Sequence, residues 1–395
     1  MLEDLDKLME DRDIDALIAK GNAFEIPDIF WLTGFRSPDS IIYFKQHDQD
    51  GVVAAAANTL ERIKKQSFIE ATYDLTETYT EMMKEGKRPS NEPKQIFGEI
   101  FDKLFDGDVV GVPNHLPSNA LVALQEIGLD IKVVPNLLKN GRATKNADEI
   151  KAIRKAGEAT VAAFKEIVQT IKDAEIGENS RLMSEGKPLT VRDIKLELEH
   201  ALLDRRAELA EDSIVAVGQK GFDWHYLGNL DDVLKAGEPI IIDVFPRLKE
   251  DRYVADVTRT IVKGEVDDEL QAMFDAVVDA LHAVEDTLAA GAMIDEDVNM
   301  ACYKTLEKHG FKSSRLDPEA KEGMTHGLGH GIGLEVHEYP FLYDRESAFE
   351  SGNVVAIEPG VYIESVGGVR IENDYVVTDQ GAERLTTGLD DLLFL

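Results

Sequence analysis

The stretch "IIIDVFPRLKEDRYVADVTRT", residues 240–260, sets two aspartates inside otherwise apolar strands. Ile and Val flank Asp243 and Asp256, which marks both strands as buried. A hairpin centred on Lys249–Glu250 would place residues 243 and 256 directly opposite each other. Opposed residues point to one face, with Cβ atoms about 4.5–5.5 Å apart. Two carboxylates buried together are costly unless positive charge sits between them.

The device recurs in "AIEPGVYIESVGGVRIENDYVV", residues 356–377. A turn centred on Ser365, with Gly367 and Gly368 to relieve the backbone, sets Glu358 opposite Glu372. A single acid in such a strand ordinarily stands at an edge and faces water. Four acids, paired twice inside apolar strands, point instead to a shared cation.

"THGLGHGIGLEVHE", residues 325–338, holds three of the nine histidines, with glycine at every odd position from 327 to 333. Alternate glycines disfavour a helix by about 1 kcal/mol each, so the segment is expected to be extended. His326 and His330 would then share a face about 13 Å apart, at about 3.3 Å per residue, too far to grip one ion together. One is a ligand and the other contacts something else; His337, of opposite parity, needs a bend to join them. The glycines are expected to leave room for close packing. A glycine-rich phosphate loop is a weak reading, because no strand–loop–helix context or P-loop lysine accompanies it. Four carboxylates and one imidazole suit two divalent cations about 3.5–4 Å apart. Such oxygen-rich donors favour Mn²⁺ or Co²⁺, with Zn²⁺ a further option, over a structural zinc site rich in Cys or His.

The whole chain agrees with a reaction on a small substrate. Its 395 residues suggest two domains. The 76 acidic against 43 basic residues give a net charge of −33. Such a surface repels phosphate backbones and anionic membranes, so neither nucleic acid nor a membrane is an expected partner. The single cysteine, Cys302, fits a reducing compartment. The acidic N-terminus has no apolar signal core, and apolar runs such as VVAAAA (52–57) are too short to span a bilayer. The expectation is a soluble, cytoplasmic protein.

Over residues 1–140 the pattern predicts a small α/β domain. A helix and strand lie within 2–20, with strands at FWLTGF (30–35) and SIIYFK (40–45). A helix follows over 57–67, a strand at 109–113, a helix over 117–127 and a strand at 131–135. Residues 141–395 read as α+β. A long helix over 149–172 follows a cap at Asn146 or Asp148, and a second covers 190–207. Strands are expected at 213–218, 239–245 and 253–262, with helices over 267–289 and 296–309.

The acids and histidine, in this order, resemble the pita-bread metallopeptidases: aminopeptidase P, prolidase, methionine aminopeptidase and creatinase. The motifs are Asp243 in "IIDVF", Asp256 in "ADVTRT", His330 in "HGLGHGIGLEVHE", Glu358 in "AIEPGVY" and Glu372 in "GVRIEND". They span most of residues 146–395. The first 140 residues look like the creatinase-type N-terminal domain, through features such as "FWLTGF", which points to the prolidase and aminopeptidase P branch.

The resemblance implies an α+β pita-bread catalytic domain and a dinuclear metal site. Asp243 would chelate one ion, Asp256 and Glu372 would bridge both, and His330 with Glu358 would complete the other. It also implies that His225 (in "FDWHYLG"), His326 and His337 line the substrate side and that Arg370 supports the ligands. Phe245 stands where the family commonly has Gly, and the Asp-to-Asp spacing is two residues longer. An even insertion preserves strand parity, whereas Phe245 would reshape a pocket wall. The expected activity is hydrolysis of the Xaa-Pro bond at the N-terminus of dipeptides or short peptides by a metal-bridging hydroxide. Glu358 would shuttle the proton, and His225 and His337 would donate hydrogen bonds to the oxyanion or to the following proline. A homodimer is implied by the resemblance alone. The alternatives are a binding protein of the same fold, or a hydrolase of non-proline peptides or organophosphate esters.

Overall fold

The computed structural model describes residues 4–395 and separates into two compact units, one ending at Arg142 and one running from Ala143 to Leu395. The N-terminal unit is built on a six-stranded mixed sheet. Its strands lie in the order Ala71–Asp74, Val52–Ala55, Ile41–Gln46, Ala16–Gly21, Val109–Val112 and Asp130–Val133. Ile18, Phe44, Phe97 and Ile100 lie in its core. The expected first helix is Leu5–Glu10; the expectation for residues 2 and 3 falls outside the described residues.

"FWLTGF" is not a strand. It lies on the helix Pro27–Thr33 and its cap, with Gly34 at φ +63 donating its N–H to Phe30 O. Aromatic and β-branched residues favour a strand locally, but Pro at the first turn and a left-handed Gly at the end punctuate a helix.

The C-terminal unit opens with the helix Ala147–Asp173. Asn146 accepts the Asp148 and Glu149 N–H groups, while the Glu149 carboxylate accepts the Asn146 N–H. This capping box fixes where the helix starts. It packs with the helix Val191–Asp204 on one sheet, whose strands run Ile214–Val217, Ile240–Val244, Val257–Val262 and Leu393–Phe394. In the other half, the helices Asp268–Glu285 and Met300–Lys308 cover a five-stranded sheet. Its order is Glu338–Phe341, Gly329–Gly331, Val354–Ile357, Asn373–Thr378 and Gly381–Arg384. A hairpin of Gly360–Ile363 with Gly367–Arg370 completes this half. Among the described residues, no helix is long and apolar enough to cross a membrane.

Strand alternation decides which side chains meet. Ile240, Ile242, Val244, Ala255 and Val257 pack under the first helix pair, so Asp243, Phe245, Asp256 and Thr258 face the other way. Val355, Ile357, Val369, Ile371 and Tyr375 pack under the second pair, which turns Glu358, Arg370, Glu372 and Asp374 to the same opposite side.

The second acid pair keeps its expected register. Gly360 pairs with Arg370, and Ile357 with Asn373, which brackets Glu358 and Glu372 in a single alignment. The first pair does not. Asp243 stands opposite Thr258, and Val244 opposite Val257. Beyond Phe245 the hairpin keeps this register, with Arg247 bridging Val254 and the Leu248 N–H donating to Tyr253 O, so it turns about Glu250–Asp251; Pro246–Leu248 also pairs with Ala207–Leu209. The offset is two residues, so Asp256 keeps its face.

The histidine stretch is extended only at Gly329–Gly331; bends follow through residues 333–337. Thus His326 and His330 do not share one strand face, and the bend that His337 needs is present. Tight packing explains three of the four glycines. A Cβ on Gly329, Gly331 or Gly333 would lie 2.0 Å from Ala356 O, 2.3 Å from Tyr339 O or 2.5 Å from Glu338 Oε2, whereas one on Gly327 meets nothing within 4 Å. Gly329→Ala is therefore expected to cost about 1–3 kcal/mol or more by overpacking, and Gly327→Ala to be near neutral. Urea unfolding of the two variants checks this contrast.

Candidate metal centre

Asp256, His330 and Glu372 are all buried, and one ligand atom from each lies within 4.8 Å of the others. His330 Nε2 stands 3.8 Å from Asp256 Oδ2, 4.0 Å from Glu358 Oε1 and 4.0 Å from Glu372 Oε1. Its Nδ1 lies 3.1 Å from Gly331 O. With the Nδ1 proton donated there, the Nε2 lone pair faces three carboxylates, and only a cation makes that arrangement favourable. Burial lowers the His330 pKa to about 4, so the ring is neutral and able to ligate.

The fourth carboxylate is held differently. Asp243 Oδ2 accepts a 2.8 Å bond from Arg370 Nη2, while Asp243 Oδ1 and Asp256 Oδ1 are buried without a hydrogen-bond partner. Orphaned acid oxygens beside a free imidazole lone pair fit divalent cations, and the oxygen-rich donor set matches a hard or borderline ion.

Burial holds Asp256 and Glu372 well above the ordinary carboxylate range, with the neighbouring acids adding to the shift. Glu358 is pushed up to about 8, chiefly by burial, with Arg370 opposing. Its side chain keeps 21% of its surface exposed, at the pocket.

Hydrogen bonds across the two halves fix this geometry. Thr258 Oγ1 donates to Glu372 Oε2 at 2.6 Å, and the Glu372 N–H donates to Thr258 O at 3.0 Å. The buried Arg259 guanidinium bonds Thr258 O, Glu372 O and Asn373 Oδ1 at 2.7–2.8 Å. Thr260 Oγ1 accepts the Arg370 N–H at 2.9 Å. Asp374 Oδ2 accepts the Asp256 N–H at 2.9 Å.

A pocket of about 1060 Å³ opens over the acids. His225, His326 and His337 line it, as does Phe245. His326 Nε2 lies 2.9 Å from the Tyr362 hydroxyl, which also accepts from Arg370 Nη1 at 2.8 Å. Burial lowers the His326 pKa to about 3. The His225 ring packs on Trp224, centroids 3.6 Å apart, and its pKa is lowered mainly by desolvation. The His337 ring lies 4.2 Å from that of His330.

All the residues expected from the sequence thus line one pocket. Sequence reasoning missed Thr258, Arg259, Tyr362 and Asp374. Asp374 was within reach, since it shares the parity of Glu372; the others act through partners distant in the chain, which strand alternation cannot supply.

Comparison with known proteins agrees with this geometry. The sequence profile of metallopeptidase family M24 matches residues 151–379. A Xaa-Pro dipeptidase of Pyrococcus furiosus is 29% identical over 333 residues, 82% of this chain and 86% of that protein. A Xaa-Pro dipeptidase of Pyrococcus horikoshii is 30% identical over 328 residues, 80% of this chain and 84% of that protein. The structure of a Xaa-Pro dipeptidase from Bacillus anthracis superposes with a TM-score of 0.79 at 22% identity. It covers 100% of this chain and 99% of that one, which is a likeness of fold.

Without cations, the raised carboxyls keep protons that the unfolded chain releases near about pH 4. The metal-free folded state then binds more protons than the unfolded state. Its stability is full at low pH and falls as pH rises through about 8, the value for Glu358. Metal-stripped protein is expected to melt progressively earlier as pH is raised from about 5 to about 8, and metal-loaded protein to resist. A gap in melting temperature that stays constant across this range contradicts the charge crowding.

Proposed function

The chain belongs to metallopeptidase family M24 and is a metallopeptidase; from that premise we propose a dinuclear exopeptidase cleaving the N-terminal Xaa-Pro bond of dipeptides or short peptides. The observation that carries the metal assignment is the lone pair of His330 Nε2 facing Asp256, Glu358 and Glu372. The relatives named Xaa-Pro dipeptidase, alike over four-fifths of this chain, support the substrate class.

In this reading Asp243, Asp256, His330, Glu358 and Glu372 would hold two divalent ions. Mn²⁺ or Co²⁺ suits the donors. Bound ions supply Lewis acidity, which polarises the scissile carbonyl and lowers the pKa of water.

The chain's own groups do the rest. Arg370 orients Asp243 through its 2.8 Å bond and holds Tyr362, which in turn fixes His326. Glu358 presents its carboxyl to the pocket, where it can take a proton from the attacking water and pass it to the leaving nitrogen. His225 and His337 donate hydrogen bonds where negative charge develops on the carbonyl oxygen. Trp224 and Phe245 form apolar wall beside Asp243 and exclude water.

A panel of Xaa-Pro dipeptides, longer Xaa-Pro peptides and non-proline peptides tests the substrate class; faster cleavage of the non-proline set would overturn it. Asp256→Asn is expected to lose both metal loading and hydrolysis. A variant that retains two ions per chain by elemental analysis, with full activity, refutes the ligand assignment. Glu358→Gln is expected to lower kcat by about 10²–10⁴, read by steady-state kinetics at saturating metal.

A further inference from the structure

Between His330 and His337 the chain reverses within a few residues, and Ile332, Leu334 and Val336 are buried along the bend. Gly331 pairs with Glu338, with a register shift between His330 and Gly331. A buried carboxylate also ties the bend together from within: the Glu338 side chain, in a residue only 1% exposed. Its Oε1 accepts the N–H of Leu334 at 2.8 Å and of Glu335 at 3.0 Å. Its Oε2 stands 3.3 Å from Lys145 Nζ, an ion pair with both side chains 1% exposed. Lys145 is itself tied down by its backbone N–H, which donates to Gly352 O at 2.8 Å. Gly333 makes space for the pair, since a Cβ there would lie 2.5 Å from Glu338 Oε2 and 3.0 Å from Lys145 Cε.

A carboxylate with so little solvent is costly unless its oxygens are answered. Here both are answered, and one of the answers is the backbone of the turn itself. The residue immediately before this anchor is His337, whose ring sits 4.2 Å from that of His330. We propose that Glu338, backed by Lys145, is a positioning residue for His337: its carboxylate clamps the 334–338 bend and so sets the imidazole over the reacting carbonyl. The inference rests on the role given to His337 above.

Glu338→Ala alone would strand a buried lysine, so the test uses neutral pairs. Lys145→Met/Glu338→Gln keeps an acceptor for the two N–H groups, while Lys145→Met/Glu338→Leu removes it. The Leu pair is expected to lower kcat by about ten- to a hundredfold, with KM and bound metal unchanged, and the Gln pair to retain most of the activity. In a His337→Ala background the Leu pair should cost nothing more.

Equal activity of the Gln and Leu pairs overturns the proposal, as does loss of metal in the Leu pair or a full multiplicative loss in the His337→Ala background. Should the Leu pair fail to fold, Glu338→Asp, which shortens the arm and keeps the charge, undergoes the same cycle with the same criteria. If His337→Ala is itself as active as the wild type, the role of His337 falls first, and this inference falls with it.

Discussion

Four carboxyl groups and one unprotonated imidazole share a buried space, and like charges at such distances do not coexist without cations. This constraint organises the C-terminal unit. Arg370 answers Asp243 and the Thr258 hydroxyl answers one oxygen of Glu372, but Asp256, Glu358 and the other oxygen of Glu372 converge on the lone pair of His330 Nε2. The raised proton affinities of Asp256 and Glu372 express the same conflict. Everything nearby either tolerates the crowding or holds it in place.

The tolerance comes from strand alternation, which gives the helices one face of each sheet and the acids the other. The holding comes from "TRT", residues 258–260. Two threonine hydroxyls and one guanidinium join the strand of the first half to the segment 370–373 of the second. Arg259 is wholly buried, and desolvation lowers its pKa to about 10. Its hydrogen bonds to carbonyl and amide oxygens offset that penalty; breaking such a buried network typically costs about 3–5 kcal/mol. Rigid donors matter here because ligands that can drift would relax the crowding by turning to solvent, and with it the affinity for metal.

Legibility in the sequence followed how local each determinant is. Two strands about a glycine-relieved turn are a local feature, and the register about Ser365 was readable to the residue. The Asp243–Asp256 connection was readable in parity but two residues out in pairing, because the hairpin turns about Glu250–Asp251 rather than Lys249–Glu250, with Arg252 at φ +66, a conformation an arginine does not advertise. The helix at "FWLTGF" was masked by its own side chains, whose strand preference is overruled by Pro27 and Gly34. Gly329, Gly331 and Gly333 were readable as close packing, but the ion pair beside the bend that brings His337 back joins Glu338 to Lys145, far apart in the chain. The Thr258–Arg259–Thr260 stitching was hidden for the same reason.

The donors are also dispersed along the chain. Asp243 and Asp256 belong to one sheet, and His330, Glu358 and Glu372 to the other, with a helix pair in between. Neither half alone carries the full donor set, so a complete site depends on both sheets being in place. All five donors meet only where the two sheets are joined through residues 258–260. Ions held by such a set would act as a latch on the assembled domain, stabilising the docked sheets against separation.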